Sequence, residues 1–140
     1  LNAIEQCPEM RIRARARLQR SHWRNVDLVC ASAAGAVIEI QADAALFHFT
    51  HDVLREDAAL ENVLRCLKPG ARVVAAGLQW APPWLWPANG FVLAAALYSV
   101  TALEGLSEPW DKLVHRLRDV AFDSALMGGV YIVAGRYQPA

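Results

Sequence analysis

Between Asp43 and Gly77 the chain runs strand, helix, turn and strand, and this order constrains the fold more than any other stretch of the sequence. Asp43–Phe49 (DAALFHF) is apolar enough to be a strand covered on both faces. From about Val53 to Leu67, the residues Leu60, Val63, Leu64 and Leu67 fall at helical spacing. Lys68-Pro69-Gly70 ends that helix, because Pro cannot continue it and Gly supplies the turn. Ala71–Ala76 reads as the next buried strand, closed by Gly77. Two short apolar strands joined through a helix pair in parallel by a right-handed crossover.

The same alternation extends upstream. Leu1–Ile4 is a short apolar run, Cys7–Ser21 is rich in helix formers with Pro8 in the first turn, and Val26–Cys30 is a further strand. Met10, Ala14 and Leu18 give the helix a modest apolar stripe, and Ala31–Ile40 reads as a loop with a brief helix. The class expected is α/β: a mostly parallel sheet with helices on both faces, in one domain over residues 1–140. The second half is less regular. Leu78–Pro87 holds Trp80, Trp84, Trp86 and three Pro, and reads as a lid or crossing segment. Helices are expected over Phe91–Leu103 and Pro109–Leu117. Asp119–Phe122 and Val130–Ala134 close the chain as a hairpin.

Composition narrows the function more than it names it. Fourteen acids balance fourteen bases, so net charge gives no argument for a nucleic-acid or anionic-membrane partner. Arg11, Arg13, Arg15, Arg17 and Arg20 step about 200° around a helix and spread over two of its sides, which is a solvated surface. Cys7, Cys30 and Cys66 are odd in number and unpaired by any CxxC, which argues against a disulfide framework and for a reducing, cytoplasmic setting. Cys30 and Cys66 lie in apolar runs and read as small core residues. No metal site is expected, since His22, His48, His51 and His115 lack ligand spacing. Leu1 is not Met and opens directly on an apolar run, which reads as the edge of a cut.

Open α/β sheets bind ligands at the carboxyl ends of their strands. Three such ends stand out: Glu5-Gln6, Cys30-Ala31-Ser32 and Thr50-His51-Asp52. A carboxylate there can accept both hydroxyl protons of a ribose; Glu5 equally suits the positive end of the following helix. Thr50 is also placed as a helix N-cap and Asp52 as a first-turn acid.

The stretch Ala3–Met10 (AIEQCPEM) resembles the second strand and helix start of class I S-adenosylmethionine-dependent methyltransferases. Asp43–Gly77 is similar to their fourth strand, fourth helix, LKPG turn and fifth strand, and the closing hairpin resembles their reversed last strand. The resemblance implies a Rossmann-like fold with an antiparallel last strand and S-adenosylmethionine as cofactor. It implies that Glu5 binds the ribose, that Gln6 lies beside the adenine, and that Ser32 sits on the adenine side. Phe49 and Thr50 would line the methionine end, while His51, Asp52 and Trp80 would face a small-molecule acceptor. Methyl transfer needs mainly in-line positioning; His51 or Asp52 would serve as base for a protonated acceptor.

Two departures from the family bear on binding. The first strand with its GxGxG turn would precede Leu1, so the chain reads as N-terminally truncated, and no acid follows Val26–Cys30. Without that central strand, its two neighbours either keep unpaired edges or pair directly. The expectation is a chain that alone is inactive, binds S-adenosylmethionine poorly, and aggregates or dimerises through those edges. Two alternatives stand beside methyl transfer: a non-catalytic methyltransferase-like protein, and a membrane-associated binding protein. The latter rests on the absence of charge from Val73 to Leu103, with interfacial contact through Trp80, Trp84 and Trp86.

Overall fold

The computed structural model describes residues 1–99 and 108–139. Its strands fall into two sheets. β1 (Asn2–Ile4) and β2 (Asp27–Val29) pair in parallel with Ala3 opposite Leu28, and α1 (Pro8–Arg20) crosses between them. The second sheet has the order β3-β4-β6-β5, from β3 (Ala42–His48), β4 (Leu67–Leu78), β5 (Leu117–Ala125) and β6 (Val130–Tyr137). β3 and β4 are parallel, and β6 runs antiparallel to both β4 and β5. This is the mixed, mostly parallel α/β sheet expected, with the reversed last strand in place.

The expected single helix before β4 is two: α2 (His51–Arg55) and α3 (Asp57–Leu64). Glu56 breaks them apart with an extended backbone, ψ 112°, and Asp57 restarts the helix with an acid in its first turn. The helical stretch ends at Leu64, before the expected stop at Lys68-Pro69-Gly70; those three residues lie inside β4, because Leu67 already pairs with Ala42. Ala31–Ile40 keeps only a turn at 33–35. The helix expected over Phe91–Leu103 begins earlier, as α4 (Trp86–Ser99), inside the Trp- and Pro-rich segment; its final expected residues lie outside the described ones. α5 is a single turn, Asp111–Val114, because Leu117 is taken into β5 opposite Tyr137.

The core lies on one face of the second sheet. Phe47, Val73, Ala75, Tyr131 and Val133 point from it against Leu54 of α2, Leu60 and Leu64 of α3, and Leu113 of α5. Each such Leu contributes about 1.5–3 kcal/mol by leaving water. On the opposite face α4 covers only the ends of β4 and β6, packing Val92 and Ala96 on Leu78 and Val130. The rest of that face is open: Leu46 is 69% exposed, and Ala44 and His48 are exposed beside it. β3 is therefore buried on one face, not two, because among the described residues no element covers the other. Cys30 likewise is exposed while Cys66 is buried. β2 lies at the outer edge of a thin sheet that has no core behind it to receive Cys30.

The first sheet is thin throughout. None of α1 is buried, and β1 and β2 are at most half-buried. Asn62 of α3 ties its approach loop to the core, donating from Nδ2 to the carbonyls of Ala33 at 2.7 Å and Ala36 at 2.9 Å. No helix among the described residues is long and apolar enough to cross a membrane.

Candidate active site

The carboxyl ends of β1 and β2 open on the same side, as do those of β3 and β4, since each pair is parallel. Glu5 follows β1 directly. Its backbone N–H donates to Val29 O at 3.0 Å, and its Oε1 accepts from Cys7 N–H at 2.9 Å. The side chain is half-buried, and one oxygen already closes the start of α1. Glu5 thus answers the helix start with Oε1, the second of its two expected roles. Gln6 is exposed next to it. Ser32, also exposed, accepts from Gly35 N–H through Oγ at 3.1 Å in a tight local turn.

At the end of β3, Phe49 holds a left-handed backbone, φ 56°, uncommon for an aromatic residue, while its N–H donates to Ala76 O at 2.8 Å. Strand pairing imposes this conformation, at a cost of about 1 kcal/mol or more. Its ring is 45% exposed and meets His48 edge-on. Thr50 stands at the N-cap of α2 without a side-chain cap bond, and its Oγ1 is buried without a partner. His51 turns inward and is 6% exposed; Asp52, one residue on, is exposed. Burial lowers the pKa of His51 below its ordinary value, against a smaller opposing pull from Asp52. Trp80, just beyond β4, is 36% exposed. The following Ala81 is clamped by Asn89, which accepts its N–H at 2.8 Å and donates to its carbonyl at 3.1 Å.

Phe49, Thr50 and His51 are thus gathered at one end of the β3–β4 pair, and Glu5 with Ser32 at one end of the β1–β2 pair. β1 and β3 are not paired with each other: among the described residues β1 pairs only with β2 and β3 only with β4. Of the two expected outcomes, direct pairing of β1 with β3 is absent among the described residues, and one edge of each stands unpaired there. For S-adenosylmethionine the fit is therefore incomplete. A carboxylate ends β1 and an aromatic ring ends β3, but among the described residues no strand or glycine turn joins them. A shallow concavity of about 350 Å³ lies elsewhere, beside α1, lined by Arg15, Leu18, Gln19, Trp23, Val26 and Leu28. Among the described residues no cluster of His, Cys, Asp or Glu could hold a metal.

Sequence reasoning missed Tyr131 and Gly77. Tyr131 of β6 is 2% exposed, and its ring meets His51 edge-on at 6.1 Å. A Tyr inside the apolar run Val130–Ala134 is the available signal, since a buried hydroxyl needs a partner.

This α/β sheet with a reversed final strand is shared by proteins of known structure. NodS, an N-methyltransferase from Bradyrhizobium japonicum WM9 in complex with S-adenosyl-L-homocysteine, superposes with a TM-score of 0.66 at 15% identity. The match covers 99% of this chain and 67% of NodS. An O-methyltransferase family protein from Burkholderia thailandensis gives 0.69 at 16% identity, over 99% of this chain and 44% of its own. An rRNA methylase from Streptococcus thermophilus gives 0.59 at 13%, over 98% and 73%. At such identities these likenesses speak for the fold. No protein among the curated ones matches in sequence. Residues 1–75 match the methyltransferase domain family, and the chain belongs to it, within the class I S-adenosylmethionine-dependent methyltransferases.

Proposed function

We propose that the chain serves S-adenosylmethionine-dependent methyl transfer to a small-molecule acceptor, as the cytoplasmic portion of an enzyme whose cofactor crevice lies between β1 and β3. The observation that carries the reading is Glu5: a half-buried carboxylate at the end of a parallel strand, held in place by Cys7 N–H. Its retained oxygen suits ribose hydroxyls, with Gln6 and Ser32 toward the adenine. Phe49 and Thr50 would line the methionine end, and His51, Asp52 and Trp80 the acceptor side. The cofactor, when bound, supplies an already activated methyl group, so the protein's share is orientation and exclusion of water. The acceptor is left open by the fold, which carries N-, O- and rRNA-methylating proteins alike.

Glu5→Ala tests the reading by calorimetric titration, in a form that carries a strand between β1 and β3. The expected loss of cofactor affinity is ~1.5–3 kcal/mol, the range for a charge-assisted hydrogen-bonding group; an unchanged affinity removes Glu5 from the site.

The unpaired edges of β1 and β3 favour a second reading for this chain alone: methyltransferase-like but non-catalytic, and self-associating through those edges. Titration together with light scattering separates the two. Weak or absent binding with dimers or larger species supports the second, and a monodisperse monomer with micromolar affinity overturns it.

A further inference from the structure

His51 and Tyr131 pose a joint problem. His51 Nδ1 and the Tyr131 hydroxyl are both buried without a protein hydrogen-bond partner. Their side chains come from α2 and β6, yet they meet over one residue of β4. A Cβ added at Gly77 would stand 3.0 Å from His51 Cε1 and 3.0 Å from the Tyr131 hydroxyl oxygen. Only glycine allows this approach without displacing a ring. Trp110, 4.8 Å from Tyr131 between ring centroids, holds the tyrosine from a further side.

The other nitrogen of His51 decides the chemistry. Leu78 N–H donates to Nε2 at 3.3 Å, so Nε2 presents its lone pair to the backbone. In a neutral imidazole the proton then sits on Nδ1, which becomes a buried donor. Burial also disfavours the charged ring, and the neutral Nδ1–H form is the one this environment selects.

We propose that Tyr131 is a positioning residue for His51, its hydroxyl accepting the Nδ1–H hydrogen bond through one bridging water and fixing the tautomer and tilt of the imidazole. Two buried polar groups of this kind are what an internal water satisfies. With both nitrogens engaged, His51 shapes the acceptor wall and exposed Asp52 is left to take a proton. That assignment of roles rests on the methyl-transfer reading; the Tyr131–His51 link does not.

The test is nuclear magnetic resonance on the whole chain with ¹⁵N-labelled histidine, which needs neither cofactor nor acceptor. In the unaltered chain His51 is expected as the neutral Nδ1–H tautomer near pH 7, and an Nε2–H tautomer would overturn the proposal. In Tyr131→Phe, which keeps the ring, the Nδ1 proton is expected to exchange with solvent about tenfold faster or more, the factor matching one lost neutral hydrogen bond. Exchange at the unaltered rate would overturn it. Far-ultraviolet circular dichroism checks that the variant is folded. Failure here leaves cofactor binding by Glu5 standing, and failure of cofactor binding leaves this link standing.

Discussion

The two sheets of this chain are built from similar strand sequences and reach different degrees of order. β3 through β6 enclose a core of fully buried side chains, among them Leu54, Leu64, Val73, Leu113 and Val133. β1, α1 and β2 enclose none. Ala36 is the first buried residue along the chain, and it belongs to the loop that leads out of this β1–α1–β2 arm to β3. Strand propensity alone does not make a core; a second layer is needed. The ends of β3 and β4 therefore stand on a packed core, while Glu5 sits on a three-residue parallel ladder and a surface helix.

This contrast can be broken most directly by cavity-forming substitutions. Leu64→Ala or Leu113→Ala, at residues with no exposed surface, should cost about 2–5 kcal/mol in denaturant unfolding. Ile4→Ala, in half-buried β1, should cost under about 1 kcal/mol. Similar losses at both places would show that the arm is packed as the core is.

Asn62→Ala addresses the join between the regions. Removing the amide leaves the Ala33 and Ala36 carbonyls without their donor, at about 1–3 kcal/mol. Amide exchange should then quicken in β1 and β2 and remain slow in β4 and β6. Uniform quickening would mean that the two regions open together.

The core side should also betray itself by pH. Burial pushes the Tyr131 hydroxyl up to about 12, so the folded state retains a proton that the unfolded chain releases near 10. Stability must then fall as pH rises from 10 to 12, by about 1.4 kcal/mol at pH 11, and Tyr131→Phe should abolish that share. His51 acts at the other end. Its lowered pKa makes stability fall as pH drops below about 6.5, the ordinary histidine value. Urea titrations across pH check both slopes.

The smallest expected effect is on cofactor affinity at the acceptor wall. Substituting His51 or Asp52 in a turnover-competent form should slow methyl transfer while leaving S-adenosylmethionine affinity within about threefold, ~0.7 kcal/mol. Equal losses in both quantities would assign these residues to the scaffold.

Much of the architecture was legible because its signals are local. Pro8 starts α1, and the apolar runs of β3, β4 and β6 are strands as read. What was not legible depends on neighbours distant in sequence. Nothing in DAALFHF says that Leu46 faces solvent, for that is decided by whether another element covers the sheet. Glu56 splits a helix whose apolar spacing continues across the break. The candidate site divides in the same way. Glu5, Thr50 and His51 stand at strand ends, where topology alone places them. Gly77 and Tyr131 matter through contacts with His51, across 26 and 80 residues, that no local pattern records.

The Asn62 bonds carry a last consequence, which concerns order in time. They span 29 and 26 residues, so they close only after α3 exists and has docked on its sheet. A ribosome releases the chain from its amino end at roughly 5–20 residues per second. Glu5 and the arm around it therefore leave the tunnel first and wait, as a short strand and a solvated helix, for a clasp made dozens of residues later.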